Sequence, residues 1–220
     1  MFGDPQSEVL DRREGECGEL VLRRAGEHFE VIANGTFLMD TRNGESERVL
    51  VRAAADRMPQ GGRMLVGGLG VGFSLRAAID HPRVGDIVVV ERESAVIEWN
   101  RGPLREVHDD ALADPTVHCV QTDLVSWLAD TDQRFDALCL DIDNGPQWTV
   151  TDGNAQLYDP GLLADRLTPD GVLAVWSAAD DRAFADALAT AFAEVETLTV
   201  PVPRGEPDVI FLAAGTRAHA

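Results

Sequence analysis

The 220-residue chain contains no lysine, and its 19 basic side chains, all arginine, face 38 acidic ones for a net charge of −19. A surface of that sign repels phosphate backbones. The arginines are scattered among acids and form no basic patch, so no nucleic-acid partner is expected. A cationic small substrate suits this field, although genome bias or a salty habitat explains the same composition. Cysteine is scarce, with only Cys17, Cys119 and Cys139. No C-x-x-C and no His/Cys cluster occurs, so neither a disulfide scaffold nor a metal site is expected. Cys119 and Cys139 lie in apolar runs and read as buried thiols in a reducing cytoplasm. No apolar run reaches the ~18 residues of a membrane span, so no membrane partner is expected. The start, MFGDPQSEVLDRREGE, lacks the basic-then-apolar pattern of a secretory leader. With 45% apolar and 26% charged residues, the chain has the composition of a globular domain.

Three segments follow from the patterning. Residues 1–18 are polar and read as a flexible N-terminus. Residues 19–44 form a small β element of two or three strands, with turns at Gly26 and Asn34-Gly35. Residues 45–220 begin with an Ala- and Arg-rich helix stopped by Pro59 and Gly61-Gly62. From residue 63, short apolar strands alternate with amphipathic helices. Such strands are buried on both faces, which implies a parallel sheet between helical layers. The rhythm breaks at the end, where VETLTVP and DVIFLAA follow one another as two strands. An α/β fold with a seven-stranded, mostly parallel sheet and a terminal hairpin resembles the class I methyltransferase-like Rossmann fold.

The first strand of that sheet runs into Gly67-Gly68-Leu69-Gly70-Val71-Gly72 and then a helix. A backbone that turns tightly and passes close to a ligand needs positions without Cβ atoms. The dinucleotide fingerprint G-x-G-x-x-G requires glycine at position 73, which is Phe, so NAD is disfavoured. A nucleoside without pyrophosphate fits better, as in S-adenosylmethionine-type cofactors; tight strand–helix packing is the plainer alternative. The second strand ends at Glu91, 19 residues past Gly72, where an acid can accept from both ribose hydroxyls. Asp123 follows the third strand and serves either as a helix N-cap or as acceptor for the adenine amino group. The fourth strand ends at Asp141, at the edge where open α/β sheets bind ligands, so Asp141 is the expected base or orienter. Asp143, Asn144 and Trp148, in the loop that follows, are the candidate substrate-binding residues.

In this order and spacing GGLGVG, Glu91, Asp123 and the Asp141–Pro146 loop resemble the spermidine synthase (polyamine aminopropyltransferase) family. FLMD at 37–40, SER at 46–48 and LYDPGLLADRLTPDGVLAVWS at 157–177 extend the resemblance. It implies a cofactor turn at Gly68 and Gly70, ribose binding by Glu91, adenine binding near Asp123 and proton acceptance by Asp141. It also implies a homodimer. The departures are specific. The acid that the family's turn directs at the aminopropyl amine is replaced by Gly70, and the second acid of its D-x-x-D loop by Asn144. Its Tyr-x-Glu pair has no counterpart, the only tyrosine being Tyr158.

These departures rank the functions. An S-adenosylmethionine-dependent transferase moving a methyl or related alkyl group to a small-molecule acceptor comes first, because Gly70 would no longer repel the methionine carboxylate. Aminopropyl transfer from decarboxylated S-adenosylmethionine to a polyamine-type amine is the alternative. It needs counter-charges that Asp143, Glu45 or Glu47 would have to supply. A non-catalytic nucleoside-binding protein is the third reading.

Overall fold

The computed structural model describes residues 7–142, 157–203 and 205–217. An antiparallel meander comes first, made of β1 (Ser7–Gly15), β2 (Gly18–Ala25), β3 (His28–Ala33) and β4 (Thr36–Asp40). The expected turns are present: Asn34 and Gly35 both take left-handed φ values, 50° and 77°, as a tight hairpin requires. The polar stretch read as a flexible terminus contains β1, which pairs with β2 from Ser7↔Ala25 to Gly15↔Gly18. Its composition hides it, because β1 is an edge strand with little to bury. Tertiary polar contacts fix it instead: Asp11 accepts from Trp99 Nε1 at 3.0 Å, and Glu93 accepts from the Glu16 amide at 3.0 Å.

After α1 (Glu45–Ala55) the chain alternates β5 (Gly62–Gly67), α2 (Phe73–Asp80), β6 (Val84–Glu91), α3 (Ser94–Arg101) and β7 (Val117–Gln121). It continues through α4 (Leu124–Asp130), β8 (Phe135–Leu140), α5 (Pro160–Asp165), β9 (Leu167–Ser177), α6 (Arg182–Ala191), β10 (Phe192–Val200) and β11 (Asp208–Thr216). The seven strands lie in the order β10-β11-β9-β8-β5-β6-β7, and only β11 runs antiparallel to its neighbours. Period-two alternation splits the core between the two faces. Met64, Val66, Ile87, Val89 and Cys139 point to one side, where Leu50 of α1, Leu75 of α2 and Trp99 of α3 cover them. Leu65, Val88, Val90, Leu138 and Leu140 point to the other, under Leu124, Leu163 and Phe184 from α4, α5 and α6. Leu20, Leu22 and Val31 of the meander join the first cluster, so the small sheet and the large one share a core. Among the described residues no helix is long and apolar enough to cross a membrane.

Candidate active site

The chain leaves β5 toward β6 on one side, while β8 pairs on the other, which opens a crevice beyond the carboxyl ends of these strands. The glycine turn sits there. Gly68, Gly70 and Gly72 all have positive φ, at 88°, 54° and 90°. A Cβ on Gly68 would lie 2.5 Å from the Asp141 carbonyl oxygen, so the turn can pass the end of β8 only as glycine. At Gly70 the nearest atom to a Cβ would be Met39 Sδ at 3.5 Å, so the turn is open to the crevice here. Gly67 and Gly72 lie elsewhere. The missing Cβ of Gly67 makes room for Leu124 and Leu140, and that of Gly72 for the His108 ring. Neither missing Cβ opens onto a cavity, and neither glycine is among the residues that line the two cavities described next.

Two cavities meet at this turn. The first is lined by Gly68, Gly70, Val90, Glu91, Asp123 and Asp141. The Glu91 carboxylate accepts from the Leu69 amide at 3.0 Å through Oε2 and from the Glu93 amide at 2.8 Å through Oε1. Each oxygen keeps a lone pair for a further donor. Burial raises the Glu91 pKa, opposed by these two amides. Asp123 Oδ1 caps α4, accepting from the Ser126 amide and hydroxyl at 2.9 Å each. Oδ2 has no partner among the described residues, so capping and a second role are compatible. The far wall comes from the meander, through Cys17, Glu19 and Asn34 at the β1–β2 and β3–β4 turns. Sequence reasoning missed this wall, since nothing local in a hairpin tip shows what it will cover.

The second cavity shares Met39, Gly70, Asp141 and Ile142 with the first and adds Glu47, Ser74, Trp176 and Asp208. Asp141 follows β8, with its amide bonded to the Gly67 carbonyl at 3.1 Å, and accepts from Ser74 Oγ at 3.3 Å. Burial, reinforced by Asp208, pushes the Asp141 carboxyl up to about 6 against the lowering effect of Ser74. Glu47, in the first turn of α1, is pushed up to about 7 by burial, Asp141 and Asp208. Asp208 accepts from Ser46 Oγ at 2.5 Å. Among the described residues none of these three carboxylates has an arginine partner in an ion pair. Of the two acids considered as substitutes on α1, Glu47 reaches the cavity, whereas Glu45 is exposed and faces Arg52. Glu47 and Asp208 therefore stand beside Asp141 in one cavity. Asp208 had a readable signal: β11 is antiparallel, so its first residue falls at the edge where the parallel strands end. Trp176, half-buried against the core, also lines this cavity. Asp143, Asn144 and Trp148 lie outside the described residues.

Four relatives frame this geometry. A polyamine aminopropyltransferase of Mycobacterium tuberculosis (strain ATCC 25618 / H37Rv) is 32% identical over 184 residues, covering 80% of this chain and 33% of that protein. Polyamine aminopropyltransferase 2 of Pseudomonas aeruginosa is 30% identical over 151 residues, covering 64% of this chain and 42% of that protein. The chain thus spans about a third of the length of the first of these. The crystal structure of spermidine synthase from Thermotoga maritima superposes with a TM-score of 0.76 at 15% identity, over 94% of this chain and 72% of that one. A spermidine synthase in complex with the transition state analogue AdoDATO superposes at 0.77 and 16% identity, over 95% and 74%. At such identities these two structures bear on the fold alone. Residues 46–213, most of the chain and the whole of the site apart from the meander wall, match the spermine/spermidine synthase domain, and the chain belongs to that family.

Proposed function

We propose that the chain moves an aminopropyl group from decarboxylated S-adenosylmethionine to a small amine. The single observation that carries this reading is the second cavity. It gathers Asp141, Glu47 and Asp208 without a paired arginine among the described residues, directly beside the glycine turn. Asp208 raises the pKa of Asp141, and both raise that of Glu47, so cations entering the cavity are favoured. Such a cavity favours a donor ending in an ammonium and an acceptor carrying a second one, and it opposes the methionine carboxylate of S-adenosylmethionine itself. This reverses the preference for methyl transfer drawn from the departures at Gly70, Asn144 and the Tyr-x-Glu pair. The names of the relatives point the same way.

The donor would lie in the first cavity. Glu91 holds two backbone amides and keeps lone pairs for ribose hydroxyls, and the free oxygen of Asp123 is available to an adenine amino group. The donor supplies a methylene carbon made electrophilic by its sulfonium. The acceptor nitrogen bonds to that carbon as the carbon–sulfur bond breaks, methylthioadenosine departs with the electron pair, and Asp141 takes the amine proton. A carboxyl near 6 is mostly ionised at neutral pH and basic enough for that transfer. Glu47 and Asp208 hold the remaining ammonium charge.

We place the enzyme in the cytoplasm, in keeping with three free thiols. We also expect a homodimer, because β1 is an open edge strand with Val9 53% exposed. Gel filtration giving a monomer mass would remove the dimer. Calorimetric titration tests the donor, using decarboxylated S-adenosylmethionine, S-adenosylmethionine and NAD in turn. Preference for the decarboxylated form supports aminopropyl transfer. Preference for S-adenosylmethionine restores the methyl or aminocarboxypropyl reading, and binding of NAD alone overturns the donor site.

A further inference from the structure

Behind the glycine turn, on the side away from both cavities, two polar residues are fully enclosed. Asn100, near the end of α3, is 0% exposed, and His108, in the short 3₁₀ turn that follows, is 1% exposed. The Asn100 side-chain amide donates to the Gly70 carbonyl at 2.9 Å and to the Val96 carbonyl at 2.8 Å. Both partners are acceptors, so the orientation of the carboxamide is fixed. Its oxygen is left without a partner among the described residues. His108 Nδ1 accepts from the Ala111 amide at 3.1 Å, which places the ring proton on Nε2, and Nε2 is likewise unpartnered. The His108 ring occupies the space where a Cβ on Gly72 would fall.

Burying two unpaired polar atoms is unfavourable, and apolar side chains would fill this volume without that cost. What the polar pair provides is contact with the turn at two of its left-handed residues, Gly70 and Gly72. Glycine there has wide conformational freedom, so the shape of the turn must be imposed from outside. The Leu69 amide bond to Glu91 at 3.0 Å, the Gly68 amide bond to the Val90 carbonyl at 2.9 Å and the Gly72 amide bond to the Leu69 carbonyl at 3.0 Å tie the rest of the turn, and none of them reaches Gly70. We infer that Asn100 and His108 are positioning residues, a buried brace that holds the Gly68–Gly72 turn in its donor-binding shape. Neither touches either cavity. The brace acts through the turn, and its effect on binding rests on the donor site proposed above.

The test is Asn100→Leu, which keeps the branched shape and removes both the tie to Gly70 and the unpaired oxygen. Asn100→Ala serves if the larger side chain prevents folding. The affinity for decarboxylated S-adenosylmethionine is expected to fall by about tenfold or more, with kcat at saturating donor within about twofold of wild type. The amides of residues 70–73 are expected to exchange with solvent at least about tenfold faster, while the unfolding midpoint of the leucine variant does not fall. A lower midpoint with unchanged donor affinity and unchanged exchange would reduce Asn100 to a packing residue and overturn the inference. Should the wild-type protein bind no adenosyl ligand, the donor site fails as a reading. The brace is then decided by the exchange of residues 70–73 alone, unchanged exchange overturning it.

Discussion

Replacing Glu47 with glutamine should make the protein more stable and worse at binding amines. The Glu47 carboxyl is raised from 4.5 to about 7, first by burial and then by Asp141 and Asp208. Each pKa unit corresponds to about 1.4 kcal/mol, so ionised Glu47 costs the folded state at most about 3.5 kcal/mol. The folded state binds the proton more tightly than the unfolded chain. The cost is therefore absent below about pH 4.5, grows as pH rises and is complete above about pH 7. Glutamine keeps the shape and an oxygen for the backbone amide that Glu47 accepts. It forfeits a favourable charge at the start of α1, worth about 0.3–1 kcal/mol. The net expectation is a gain of about 1–3 kcal/mol at pH 8 and little change at pH 5, read from urea unfolding at both. Spermidine, used as a cationic probe in calorimetry at pH 8, should bind at least about tenfold more weakly to the variant. A variant less stable than wild type at pH 8, or one with unchanged spermidine affinity, would refute the reasoning.

Asp141→Asn should leave donor binding intact and slow turnover at least about a hundredfold, the usual loss for a general base; single-turnover kinetics reads both, and full activity would remove Asp141 from that role. Gly68→Ala should cost more stability than Gly70→Ala: the first meets the Asp141 carbonyl at 2.5 Å, the second only Met39 Sδ at 3.5 Å, while both pay for a positive φ. Thermal unfolding should separate them by about 1–3 kcal/mol, and the reverse order would contradict the turn geometry. Glu91→Gln turns one of two backbone-facing acceptors into a donor, so adenosyl affinity should drop by about tenfold or more in calorimetry, and an unchanged affinity would take Glu91 out of the donor site.

Much of this was legible in the sequence because it depends on local pattern. Apolar strands between amphipathic helices gave the large sheet, and the double strand at the end marked the antiparallel β11. The glycine turn, Glu91, Asp123 and Asp141 lie at strand ends, where topology alone sends a side chain toward the crevice. The rest depends on contacts between distant segments. β1 carries no strand pattern and is held by Trp99 and Glu93, more than 70 residues away. Asp208 and Glu47 reach Asp141 from opposite ends of the chain. Their convergence reverses an argument built on the acids missing at Gly70, at Asn144 and from the Tyr-x-Glu pair. Gly67 and Gly72 looked like ligand positions because spacing does not distinguish a glycine beside a ligand from one beside Leu124 or His108.

The most direct measurement is turnover. The protein would be incubated with decarboxylated S-adenosylmethionine and a panel of monoamines, diamines and longer polyamines, and the products separated by mass spectrometry. The account predicts methylthioadenosine together with an aminopropylated di- or polyamine, both abolished by Asp141→Asn. A methylated product from S-adenosylmethionine, with no aminopropylated amine from the decarboxylated donor, would contradict it.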